Sequence, residues 1–100
     1  MNDYSHITEM ENILNEYDDK INKMQELLDF FNNNMENYNK LIEYYYSEKR
    51  NQDLIDDEKN LIPQDLKRGV LSEDGIYNML TSHDSLAIEM LETATKMLKK

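Results

Sequence analysis

The chain has 100 residues and a mass of 12.0 kDa, with 11 Lys and Arg against 21 Asp and Glu and a formal net charge of −10 at pH 7. It has no Cys, one Pro and two Gly, which excludes disulfide frameworks, thiol nucleophiles and thiolate zinc sites and argues against a turn-rich β fold. Residues 1–50 carry 5 basic and 11 acidic side chains and residues 51–100 carry 6 and 10, so neither half offers the basic stripe that displaces counterions from nucleic acid or anionic lipid.

Residues 4–47 follow one apolar repeat. Ile7, Leu14, Ile21, Leu28, Met35 and Ile42 stand seven apart, and Met10, Tyr17, Met24, Phe31, Tyr38 and Tyr45 follow each by three. These are the a and d positions of a helix that presents a narrow apolar seam. Ile13, Leu27 and Leu41 at g widen the seam, and apart from Phe30 and Tyr44 the outward positions are nearly all polar. Asn32-Asn33-Asn34 is the weak point, because Asn favours local turns over helix interiors. The heptad phase nevertheless resumes at Met35. The spacing therefore predicts a long helix over 4–47, at most kinked at 32–34, with a loop there as the alternative.

Residues 48–71 read as a linker, whose Asp53, Asp56, Asp57 and Glu58 leave only Leu54 and Ile55 for a core. A single helical turn is predicted over 63–68, with Pro63 presetting φ at its start and Gly69 taking positive φ beyond it. Ser72 is the predicted helix cap of the last segment, with Glu73 and Asp74 in the first turn. Ile76, Leu80, His83, Ala87, Met90, Ala94 and Met97, alternately four and three apart, carry a helical segment over 72–98, either one helix or two in line with a break near Ser82. Lys96, Lys99 and Lys100 close it against the macrodipole. The expected fold is all-α, one helical domain over 1–100. The C-terminal segment packs antiparallel on the long helix as a coiled-coil-like hairpin or bundle.

None of the candidate chemistry assembles. Ser72 lies eleven residues, roughly 16 Å of helix, from His83, too far for a nucleophile and its base. A helical metal ligand at His83 wants Glu three residues earlier, where Leu80 stands, and the Asp3–His6 pair is alone. The acidic run at 53–58 lacks the alternating ligands and central Gly of a calcium loop. Glycines only at 69 and 75 exclude a phosphate-cradling loop. The expectation is no catalytic residue, no cofactor and no metal. The run Tyr44-Tyr45-Tyr46 spans about 200° of helix, so at least one ring leaves the seam. Either the rings plug the junction where the chain returns, or Tyr44 and Tyr46 form an aromatic docking patch.

The stretch Tyr44-Tyr45-Tyr46-Ser47, followed by Leu66-Lys67-Arg68-Gly69-Val70-Leu71-Ser72-Glu73-Asp74-Gly75-Ile76-Tyr77, resembles a family of small acidic bacterial proteins, common in Gram-positive species and described as a domain of unknown function. The resemblance covers most of the chain and is most specific over 66–74. It implies a long first helix, a Tyr pair, an aspartate-bearing linker and a GVLSED turn into the last helix, in a bacterial cytosol. The family pattern has a Trp shortly after the Tyr pair, where this chain has Arg50. No activity comes with the resemblance.

The expected function is a non-enzymatic protein–protein interaction module, an adaptor or regulatory subunit with an unidentified protein partner. The alternative is an acidic inhibitor or immunity-type protein occupying a basic site on a nuclease or toxin. The N-terminal Met1-Asn2-Asp3 has no signal-peptide character, and no apolar run reaches the about 20 residues that span a bilayer. A cytoplasmic setting without membrane or nucleic-acid partners is therefore expected. A last helix turned back over 28–45 leaves Ile13, Leu14, Tyr17, Ile21 and Met24 uncovered, which predicts a homodimer. The charge predicts that the protein does not retard generic DNA or RNA in a gel at physiological salt, even at tens of micromolar. A shift that weakens with added salt contradicts it.

Overall fold

The computed structural model describes residues 3–99; Met1, Asn2 and Lys100, the last of which was expected at the closing turn of the final helix, lie outside the described residues. The fold is all-α, with α1 at Ser5–Asn33, α2 at Met35–Tyr45, α3 at Glu48–Glu58, a 3-10 turn at Gly69–Leu71 and α4 at Gly75–Leu98. No strand occurs among the described residues, and no described helix is long and apolar enough to cross a membrane. The chain divides into two compact units, Met1–Lys40 and Leu41–Lys100.

In the first unit, the Asp3 carboxylate accepts the Ser5 backbone N–H at 2.9 Å and its hydroxyl at 3.1 Å. Those bonds favour the charged form and hold its pKa below the usual carboxylate value. They also give α1 an acidic group at its positive end. The 29-residue helix is roughly 43 Å long. On its polar side Lys23 pairs with Asp19 at 2.9 Å and Gln25 donates to Asp29 at 2.9 Å, each four residues apart. Such exposed pairs contribute little.

The predicted long helix over 4–47 is interrupted at Asn34, whose φ of −119° and ψ of 17° leave the helical well. The cause is the amide itself. Asn34 Nδ2 donates to the Phe30 carbonyl at 2.8 Å, Asn37 Nδ2 donates to Asn34 Oδ1 at 3.2 Å, and the Asn34 carbonyl accepts the Tyr38 N–H at 3.0 Å. One residue thus closes α1 and opens α2. Because only one residue is irregular, the heptad phase carries across the break in the sequence.

In the second unit, the predicted linker over 48–71 instead begins with a helix. Ser47 has extended backbone, and its Oγ accepts the Arg50 N–H at 3.1 Å while donating to the Tyr44 carbonyl at 2.7 Å. It is the N-cap of α3. Side-chain contacts at four-residue spacing, Lys49 with Asp53 at 3.8 Å and Gln52 with Asp56 at 2.9 Å, run along the helix. Its end is a Schellman turn: the Asn60 N–H donates to the Asp57 carbonyl at 3.0 Å and the Leu61 N–H to the Asp56 carbonyl at 2.9 Å. Asn60, at φ 60°, holds the left-handed position. The positive φ expected at Gly69 does not occur. The helical turn expected over 63–68 is a single turn closed by Leu66 N–H to the Pro63 carbonyl at 3.1 Å. The 3-10 turn follows three residues later, because the preset φ of Pro63 starts a turn that nothing propagates.

α4 is one helix of 24 residues, unbroken near Ser82. It begins at Gly75, with Asp74 at the capping position, so Glu73 and Asp74 precede the first turn rather than forming it. Ile76, 4% exposed, is the one buried side chain among the described residues.

Candidate interaction site

The expected contact residues of α1 all lie open to solvent. Ile13 is 44% exposed, Leu14 54%, Tyr17 68%, Ile21 59% and Met24 43%. Ile7, Met10 and Leu27 extend the same exposed row, while Leu28 and Phe31 are half-buried. Every one of these sits at a, d or g, so the row is one face of one helix. Monomeric proteins seldom leave a contiguous apolar face of this length in water. The charges are placed elsewhere: of the nine acidic and Lys side chains in α1, only Glu11, Asp18 and Lys20 flank the row.

The second unit is organised around the turn 69–75. Arg50 in α3 donates from Nε to the Val70 carbonyl at 3.1 Å and from Nη2 to the Ser72 carbonyl at 3.3 Å. Its guanidinium lies 4.9 Å from the centre of the Tyr45 ring, a cation–π contact that fixes the donor plane. Tyr46 meets Tyr45 edge-on at 4.9 Å and is itself 76% exposed. Of the two tyrosines expected in a docking patch, Tyr46 therefore points outward.

Tyr44 is engaged. Its hydroxyl donates to Asp53 Oδ2 at 2.7 Å, linking α2 to α3. Partial burial, and then the bond to and charge of Asp53, push the phenol pKa upward, with Arg50 opposing. Arg68 and Asp57 form an ion pair at 2.6 Å that ties the return segment to the end of α3. Between these contacts lies an open cavity of about 310 Å³, lined by Tyr44, Asp53, Ile62, Leu66, Arg68 and Leu71 among others.

Ser72 bridges the turn to α4. Its hydroxyl donates to the Gly69 carbonyl at 2.7 Å and accepts the Gly75 N–H at 3.1 Å. It thus satisfies the first N–H of α4 from two residues before the capping position. Gly75 is needed for this approach: a Cβ there would overlap Ser72 Oγ and lie 2.6 Å from the Gly69 carbonyl oxygen. In the sequence, Gly75, Arg50 and Ser47 carried no structural role. Only Ser47 left a local signal, a capping residue ahead of a charged helix.

Both bonds of the Ser72 hydroxyl go to main-chain groups, and the His83 ring lies against Asp84, Nδ1 to Oδ1 3.3 Å. Among the described residues no group of three His, Asp or Glu is placed to hold a metal ion. What the arrangement offers is surface: an apolar helix face in one unit and a clamped aromatic corner in the other. A family model described as a domain of unknown function, DUF4298, matches residues 7–93. Comparison with curated proteins and with solved structures gives no match.

Removing the hydroxyl in Ser72→Ala should cost about 0.5–2 kcal/mol in chemical unfolding. Ser72→Asp, which capping preference alone makes nearly neutral, should also destabilise, because a carboxylate oxygen cannot donate to the Gly69 carbonyl. A wild-type midpoint for Ser72→Ala contradicts the bridge. For Tyr44 the sign follows from its raised pKa: stability is complete below the unfolded phenol pKa near 10 and is lost as pH rises through the folded one. Thermal melts from pH 8 to 11.5 should therefore fall more steeply for wild type than for Tyr44→Phe. Parallel curves would show that the Asp53 bond carries no proton linkage.

Proposed function

The chain belongs to the DUF4298 family, and for it we propose a non-enzymatic protein–protein interaction module, an adaptor or regulatory subunit of a bacterial cytosol that works through the a/d face of α1. The observation that carries this is the exposure of Ile13, Leu14, Tyr17, Ile21 and Met24 along one face. An amphipathic helix with an uncovered apolar row is a surface for another helix, read through anchors at heptad spacing. Both bonds of the Ser72 hydroxyl serve the turn. Tyr46 adds an exposed ring of the kind that anchors interfaces.

The net charge of −10 favours a second reading, an acidic inhibitor or immunity-type protein that covers a basic site on a nuclease or toxin. The two separate by salt. Binding through an apolar row survives high ionic strength, whereas binding through carboxylates is screened within a Debye length of about 10 Å at 0.1 M salt. Tagged wild type and Ile21→Glu, immobilised and offered bacterial lysate at low and high salt, decide the matter. The interaction module predicts partners that persist at high salt and are lost from Ile21→Glu. Partners indifferent to Ile21→Glu and stripped by salt establish the acidic inhibitor instead. Turnover abolished by a single substitution at Ser72, Asp74 or His83 overturns both.

A further inference from the structure

Resting on the reading of α1 as an interaction face, we propose that its occupant is α1 of a second copy, paired antiparallel about a two-fold axis at Asp19. The helix Ser5–Asn33 has its midpoint at residue 19, so this register overlaps the two helices along their full length. It stacks Ile7 on the partner copy's Phe31 position, and likewise Met10 on 28, Leu14 on 24 and Tyr17 on 21. Each layer occurs twice by symmetry, which gives the self-complementary patch that a two-fold interface requires. Eight side chains of this row are each 43–68% exposed. Together they leave on the order of 800 Å² per copy, the share each partner contributes to a standard stable interface.

The flanking positions choose the orientation. Two parallel helices set g against e of the partner, which places Ile13 against the carboxylate of residue 18 and Leu27 against the amide of residue 32. The antiparallel register sets g against g and e against e. Ile13 then meets the Leu27 position, extending the apolar stripe, and Glu11 meets the Gln25 position, an acceptor facing a donor. The cost is confined to the axis, where Asp18 and Lys20 each face their own copies on opposite flanks. Lys20 Nζ lies 3.7 Å from its own Asp19 carboxylate, which offsets part of that repulsion. With two chains of −10 each, added salt should tighten this pairing, whereas it weakens binding to a basic site.

The chain has no native Cys, so introduced thiols report without background. Single variants Leu14→Cys and Met24→Cys are oxidised separately and as a mixture, alongside sedimentation equilibrium of wild type and Ile21→Glu at about 100 µM, well above a micromolar Kd. The expected result for wild type is twice the 12.0 kDa chain mass, and for Ile21→Glu the single-chain mass with far-UV helicity retained. A disulfide should form only in the mixture, because in this register equal positions 14 stand ten residues, about 15 Å, apart along the axis, beyond disulfide reach. A Leu14→Cys homodisulfide overturns the orientation. A single-chain mass for wild type overturns the second copy as occupant. The interaction reading stands in that case if Ile21→Glu still releases salt-resistant partners, and falls if it does not.

Discussion

Two donors of the Arg50 guanidinium, Nε and Nη2, go to main-chain carbonyls of one turn, those of Val70 and Ser72. In a unit where Ile76 alone among the described side chains is buried, that is the contact on which the rest depends. So small a core gives little hydrophobic stabilisation. Directional, charge-assisted hydrogen bonds then define where the chain goes. The Tyr45 ring keeps the guanidinium in plane, and Ser47 caps the helix on which Arg50 stands. The Ser72 hydroxyl hands the turn on to α4. Each contact secures the next, from the end of α2 to the start of α4.

The first unit follows a different logic. Its information lies in the spacing of apolar residues along one helix. The acidity, which looks uniform in the composition, is sorted on α1 by position. Most of its carboxylates occupy outward positions, and the apolar row is flanked by few charges. A strongly acidic helix can therefore still present an apolar face.

What the sequence showed and what it hid follow from the range of each signal. α1 and α2 were legible because six heptads repeat one pattern across them, and α4 because its four-three spacing continues through Thr81 to Ser85. α3 was hidden because its only apolar pair, Leu54 and Ile55, sets no period, and its evidence was a capping Ser47 and charge contacts at four-residue spacing. The left-handed residue was sought at Gly69, the more permissive type, and stands at Asn60, the other residue that tolerates that region. Ser72 was expected as the cap of the last helix, whereas the capping position is Asp74 and the Ser72 hydroxyl bridges Gly69 and Gly75. Arg50 was out of reach of any local reading. Its acceptors are backbone atoms 20 and 22 residues along the chain, and backbone carries no residue signature.

That last property also determines how freely the turn can vary. A guanidinium that grips carbonyl oxygens is indifferent to the side chains hanging from them, so an exposed position such as 73 can drift in size and polarity while the loop keeps its shape. Gly75 is the opposite case: every other amino acid brings a Cβ into the space held by Ser72 Oγ and the Gly69 carbonyl. The turn thus behaves as a mounting of invariant geometry and exchangeable display. Its outward side chains can be exchanged without the loop having to refold.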